Sequence, residues 1–338
     1  MAGDLDHGDV NLAPQARGAA ARTGKLNGRH AASGAGSRVE ENKLERIVVL
    51  INAGAGTGSD AQRVAALAQH FRQHGQSADV QLVHSGAELV DRAQQAVAAG
   101  VGTVVAGGGD GTINAVASAL VGSRTRLGVL PLGTLNHFAR DMHIPLELEQ
   151  AIANVVQGQV VQVDVGEVNG RIFLNNSSLG IYPDIVRDRE QQQRRFGRSK
   201  WPAFGRAVFA ALRRFPFLSL QLTIDGMQHT RRTPFIFIGN NEYQQGLATG
   251  RRSRLDSGHL CLYVAQRPTR LALLRYALHL LFGQLAHARD FDVLQTTALS
   301  IATRRRHLRV ATDGEVTRMK PPLQYRSLPA ALQVIVPR

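Results

Sequence analysis

With 338 residues, 43% of them hydrophobic, the chain can bury a substantial core and points to two domains rather than one. A single cysteine, Cys261, excludes an intramolecular disulfide and makes a reducing, cytoplasmic compartment the expectation. No apolar run approaches the roughly 20 residues that span a bilayer, and the first residues lack a basic-then-apolar signal pattern, so the expected protein is soluble or peripheral.

The net charge of +14 is unevenly spread, since residues 1–42 hold five basic and five acidic side chains. Half of the excess lies in 187–214, where nine Lys/Arg face only Asp188 and Glu190. Such a run suits an anionic surface, either nucleic acid or acidic lipid, with a solvated basic face as the plain alternative.

Residues 1–42 are rich in Gly, Ala, Ser, Arg and Asn without periodicity and read as a disordered leader. From residue 43 the pattern changes. A buried strand at 46–51 is followed by Asn52 and a loop with glycines at 54, 56 and 58, then a helix over about 60–74. That loop fits neither a Walker motif nor GxGxxG, and it remains a candidate anion-binding turn. A strand at 79–83 and a helix at 87–99 lead to the apolar run 101–106, which ends in Gly107-Gly108-Gly109-Asp110-Gly111-Thr112. Three glycines after a strand leave backbone N–H groups unshielded, and the apolar periodicity of 113–120 makes Thr112 the start of a helix whose N-terminus favours anions. Asp110 sets a carboxylate in this phosphate-friendly loop, where a Mg²⁺ between carboxylate and phosphate reconciles the charges. The bland reading is a tight strand-to-helix turn.

A further strand, 127–131, precedes Leu132-Gly133-Thr134-Leu135-Asn136-His137. Alternating strands and helices predict a parallel, Rossmann-like sheet over 43–158, with all three loops at the strand C-termini where such sheets bind ligands. Beyond residue 157 the pattern turns to strands, at 160–168, 171–175, 218–224, 235–238, 260–265, 291–302 and 308–312, with hairpin signals at Asn169-Gly170 and Asp225-Gly226. Residues 159–321 therefore read as a mostly antiparallel β-sandwich or partly closed barrel, interrupted by helical insertions at 203–214 and 270–285. Residues 322–338 form a C-terminal strand or tail, a candidate to return to the first domain. Aromatic residues such as Phe196, Trp201, Phe204 and Phe209 interleave with arginines in the first insertion and just before it, which suits a membrane interface; a helix face packed on the sandwich is the competing reading.

Once these loops are placed, the chain resembles the diacylglycerol kinase catalytic-domain family, and in particular its bacterial soluble lipid kinases. Residues 107–112 look like the family's GGDGT loop. Pro131-Leu-Gly-Thr-Leu-Asn136 with Phe138-Ala139-Arg140 resembles its PxGTxND-FAR segment, Phe173 to Gly180 a stretch opening the second domain, and Asp313-Gly314-Glu315 its DGE turn. The resemblance covers about residues 45–338. It implies an NAD kinase-like and diacylglycerol kinase-like two-domain fold and ATP-dependent phosphorylation of a lipid hydroxyl, most simply that of diacylglycerol, between the domains. It also implies that Asn52, Gly107, Gly108, Gly109, Asp110, Gly111, Thr112, Thr134 and Asn136 serve the ATP phosphates, that Asp110 holds Mg²⁺ directly on the phosphates or through water, and that Glu315, supported by Asp313, takes the proton. Taken alone, Asp-Gly-Glu reads as a hairpin turn.

Three departures accompany the resemblance. His137 stands where the family carries Asp. Ser257 aligns with a metal-binding Asp, leaving Asp256 as the candidate ligand, and Ser85 is the one hydroxyl near the end of the second strand. The expected partners are a lipid substrate and an anionic membrane surface on the inner face; a homodimer stays open. The rival readings are an NAD kinase, a catalytically silent lipid- or nucleotide-binding regulator and, on charge alone, a nucleic-acid binder.

Overall fold

The computed structural model describes residues 46–53, 60–180, 217–244, 252, 254–265 and 291–338. The leader, the first loop's glycines, the basic stretch at 187–214 and both helical insertions lie outside the described residues.

The first half alternates β1 (Ile47–Asn52), α1 (Asp60–Gln73), β2 (Ala78–Val83), α2 (Gly86–Ala98), β3 (Thr103–Gly108), α3 (Asp110–Leu120), β4 (Arg126–Pro131), α4 (His137–Asp141) and α5 (Leu148–Gln157). Its strands pair in parallel in the order β2-β1-β3-β4. The apolar runs are continuous rather than alternating because both faces are covered. Val48, Leu50 and Val104 pack toward Leu89 and Ala93 of α2 and Ile113 and Val116 of α3. Ile47, Val49 and Ile51 pack toward Leu67 and Phe71 of α1 and Ile152 and Val155 of α5.

The second half begins with the hairpin of β5 (Gln159–Val168) and β6 (Arg171–Phe173), turned by Asn169 and Gly170 at φ 46° and 82°. One six-stranded antiparallel sheet has the order β12 (Phe291–Thr296), β11 (Leu260–Ala265), β10 (Phe235–Asn240), β7 (Asn176–Gly180), β14 (Leu308–Thr312), β15 (Glu315–Met319). The opposing layer contains β8 (Leu218–Ile224), β9 (Met227–Thr233) and β13 (Ala298–Ala302), and it belongs to the same ten-stranded sheet as the parallel strands. The strand joining them is β16 (Leu323–Val336). Its first residues pair with β13, whereas Val334 lies opposite Leu127 of β4, and β5 runs antiparallel along it with a register shift between Leu328 and Leu332. Leu220, Leu222, Ile236, Ile238, Leu262 and Tyr325 fill the sandwich core.

Two expected strands are shorter than the sequence suggested. The run 291–302 divides at Thr297, with β12 in one sheet and β13 in the other. Thr296 closes that corner, its Oγ1 donating to the Ala298 carbonyl at 2.8 Å and accepting the Ala298 N–H at 3.2 Å. The run 171–175 stops at Phe173 because the N–H groups of Leu174 and Asn175 turn to the carboxylate of Asp313 instead of to a neighbouring strand.

Candidate active site

The GGDGT segment folds as the end of β3 and the first turn of α3. Gly109 is the N-cap, extended at φ −88° and ψ −175°, and it has no side chain to cap the first N–H groups of the helix. The glycines answer to packing as well as to any ligand. A Cβ on Gly108 would stand 2.4 Å from Thr112 Oγ1, and one on Gly133 would stand 2.4 Å from Gly109 Cα, so the two loops touch backbone to backbone. Leu132 N–H donates to the Gly108 carbonyl at 3.0 Å and closes the contact.

Asn136 shapes the second loop from within. It is left-handed at φ 50° and buried, its Oδ1 accepting the Gly133 N–H at 3.1 Å and its Nδ2 donating to the carbonyls of Pro131 and Gly133. Thr134 and His137 stand exposed beside it. Asp110 joins the loops, since its Oδ1 accepts the Phe138 N–H at 3.1 Å, at the start of α4. Asn52, at the C-terminal end of β1, donates from Nδ2 to Thr112 Oγ1 at 3.5 Å. The predicted nucleotide residues within the described chain thus lie at one sheet edge. Ser85 serves a helix end instead, accepting the Glu88 N–H at 3.2 Å as the N-cap of α2, while Glu88 accepts the His84 N–H at 3.1 Å just before it.

Facing this edge is the hairpin between β14 and β15, turned by Asp313 and Gly314 at φ 47° and 87°. Positive φ at both central residues is what a two-residue hairpin demands. The Asp313 carboxylate accepts the N–H groups of Leu174 at 2.7 Å and of Asn175 and Asn176 at 2.9 Å, and the Asn114 amide of α3. Burial pushes its carboxyl up, against the downward pull of those four bonds. Asp313 therefore ties the turn to the opening of the second half and to the helix that begins at Asp110. Glu315 projects beyond it, its Oε1 3.5 Å from where a Cβ would stand on Gly111. A cavity of about 730 Å³ opens there, lined by Gly111 and Glu315 and walled by Val90, Ala115, Ile172 and Met319.

Sequence reasoning missed three groups. Arg171, just past the Asn169-Gly170 turn, donates to Thr312 Oγ1 and Thr317 Oγ1, each at 2.9 Å, and forms an ion pair with Glu315. Arg252 and Asp141 make a buried pair at 2.8 Å, with Arg252 also donating to Asn175 Oδ1 at 2.8 Å, which locks α4 to the second half. Tyr243 donates to the Asn175 carbonyl and accepts from Asn176, and burial pushes its hydroxyl up to about 12. None of the three belongs to a local motif; their partners are distant in sequence, so only a contact between halves could have revealed them.

The residues fit Mg²⁺ at one of the two expected positions. Asp110 makes one hydrogen bond among the described residues, through Oδ1, which leaves its other oxygen for an ion that takes one carboxylate and substrate phosphates. Asp256 does not fit. Arg254 engages both of its oxygens, at 3.0 and 3.4 Å, and holds its carboxyl below the usual carboxylate range, while Ser257 donates to Asn241 Oδ1. Among the described residues, no group of three His, Cys, Asp or Glu could hold a metal ion.

Two domain profiles match the chain: the diacylglycerol kinase catalytic domain over residues 46–168 and the YegS C-terminal NAD kinase beta sandwich-like domain over 182–336. A "Probable lipid kinase YegS-like" of Serratia proteamaculans (strain 568) is 40% identical over 136 residues, 39% of this chain and 44% of that protein. Its namesake in Yersinia pestis (strain Pestoides F) is 38% identical over 136 residues, 39% of this chain and 45% of that protein. The matched segment thus spans less than half the length of these curated relatives. A crystal structure described as a diacylglycerol kinase from Bacillus anthracis str. Sterne superposes with a TM-score of 0.63 at 19% identity, covering 86% of this chain and 97% of that one, a likeness of fold.

Proposed function

The chain belongs to the diacylglycerol kinase catalytic-domain family, and on that premise we propose that it is an ATP-dependent lipid kinase that transfers the γ-phosphate to a lipid hydroxyl, with diacylglycerol as the acceptor. The observation that carries the reading is the approach of Glu315 to Gly111, which brings a carboxylate to the uncapped N-terminus of α3. Phosphoryl transfer asks for alignment, charge neutralisation and a positioned base.

Each of these requirements has a residue. The N–H groups at the start of α3 bind phosphate oxygens, and the Gly109–Gly133 contact keeps that edge free of side chains. Asp110 would hold Mg²⁺, which when bound neutralises phosphate charge. Glu315 takes the proton of the acceptor hydroxyl, and Asp313 keeps the turn that carries it in place. Arg171 fixes the Glu315 side chain from β6. The apolar wall of the adjoining cavity suits the glycerol and upper acyl region of a lipid.

The test is transfer from labelled ATP, with Mg²⁺, into diacylglycerol on acidic vesicles, comparing wild type with Asp110→Ala and Glu315→Gln. Labelled phosphatidic acid in wild type, lost in both variants, supports the assignment. Label entering NAD instead, or no lipid product from a protein that still binds nucleotide, overturns it in favour of an NAD kinase or a silent regulator.

A further inference from the structure

The end of the sandwich opposite the Asp313 turn gathers a second concentration of charge. The loop after β13 reads Arg304-Arg305-Arg306-His307, all exposed, and Arg309 of β14 lies opposite Arg318 of β15. Arg304, Arg305, Arg306 and Arg318 form no ion pair among the described residues. Thr303 anchors the loop by donating to the Ser219 carbonyl at 3.1 Å, beside exposed Arg231 and Arg232, and the Arg232 guanidinium lies 5.2 Å from the centre of the Phe217 ring. Arg305, His307, Arg309 and Arg318 line one concavity together with Gly180 and Leu218.

Strand register shows what else leaves from this end. Ala265 pairs with Phe291, Phe235 with Gly180, and Arg309 with Arg318, while Val264 faces Ile236 and Leu179 faces Val310. These pairs fall on adjoining rows across the sheet, where the acid is Asp292, on β12 at the far edge. Segment 181–216 departs at Gly180 and segment 266–290 departs at Ala265 and returns at Phe291. By sequence, the first carries the nine basic residues of 187–214 and the second the apolar residues Leu273, Leu274, Leu278, Leu280, Leu281 and Phe282. The described residues from which both segments leave, Gly180, Ala265 and Phe291, thus lie on the same side of the sheet as Arg309 and Arg318.

We propose that this rim, built on Arg304, Arg305, Arg306, His307 and Arg318, is the surface by which the protein docks on a membrane rich in acidic phospholipid. Charge complementarity favours an anionic partner. The apolar and aromatic content of the segments rooted at the same end favours lipid over nucleic acid, which presents no hydrocarbon to receive it. The four residues from Arg309 to Asp313 span roughly 13 Å, so docking and transfer occupy separate ends of one hairpin. The inference concerns where the proposed lipid kinase meets its membrane, and its test does not depend on transfer.

The experiment is sedimentation of the full chain with phosphatidylglycerol vesicles and with phosphatidylcholine vesicles, without ATP, at about 0.1 M salt. Wild type is expected on the acidic vesicles and off the neutral ones. Each arginine lost from a membrane-facing surface lowers affinity about fivefold, so Arg304→Gln/Arg305→Gln/Arg306→Gln should bind about a hundredfold more weakly, and Arg318→Gln about fivefold. A control triple, Arg72→Gln/Arg92→Gln/Arg124→Gln, removes equal charge from exposed positions of the other half and should bind as wild type does. Unchanged binding of the rim triple, an equal loss in the control, or tighter wild-type binding to a DNA oligonucleotide than to acidic vesicles would each overturn the proposal. Transfer to a dissolved short-chain diacylglycerol, which needs no docking, should be equal in wild type and the rim triple. Its absence from both would sink the kinase reading while the sedimentation result still decides the docking one.

Discussion

Removing the Asp313 carboxylate should separate the turn that carries Glu315 from everything that positions it. Three backbone N–H groups, at 2.7, 2.9 and 2.9 Å, and the Asn114 amide converge on this one part-buried side chain. In Asp313→Ala all four donors lose their acceptor where little water reaches. An orphaned buried donor costs about 1–3 kcal/mol, and partial relaxation brings the sum to about 3–5 kcal/mol. Asp313→Asn keeps one acceptor oxygen but turns an NH₂ toward a remaining N–H, so about 2 kcal/mol should be lost. Urea unfolding of the three proteins measures this, and lipid transfer should fall further than stability in the asparagine variant because a displacement of about 1 Å at the base can cost a hundredfold. An alanine variant within about 1 kcal/mol of wild type would refute the claim that this carboxylate organises the site.

Gly133→Ala should raise the KM for ATP and destabilise by about 1–3 kcal/mol, because its Cβ would stand 2.4 Å from Gly109 Cα and 2.8 Å from Asn136 Oδ1, and backbone cannot step aside as a side chain can; an unchanged KM would argue against the loop contact. Arg171→Ala breaks a pair whose side chains are 38% and 62% exposed, so stability should change by less than about 1 kcal/mol while kcat falls at constant KM for ATP, as steady-state kinetics would show. Tyr243 titrates near 12 in the folded protein, raised chiefly by burial, against about 10 when unfolded. The stability held in that difference is complete below about pH 10 and is lost as pH rises through about 12. Between about pH 10 and 11.5, wild type should lose about 1 kcal/mol per pH unit relative to Tyr243→Phe, and parallel unfolding curves for the two proteins would exclude the buried phenol.

By itself the sequence determined the local features. Apolar runs bounded by glycine loops placed β1, β3 and β4, Asn169-Gly170 placed its hairpin, and six consecutive positions at 107–112 marked the candidate nucleotide edge, because turn chemistry and strand periodicity act over a few residues. Tertiary structure decided what depends on contacts between distant segments. The division of 291–302 between two sheets follows from which strands stand beside each part, and a periodicity of two is the same in either sheet. The glycine at 108 reads as room for phosphate, yet its own neighbour Thr112 already requires it, as Gly109 requires the glycine at 133. Asp313 read as half of a hairpin turn and became the acceptor that joins α3 to the second half. Arg171, Arg252 and the rim around Arg304 carry no motif, since a cation's role is set by the charges and cavities that folding brings to it, and those are encoded elsewhere in the chain.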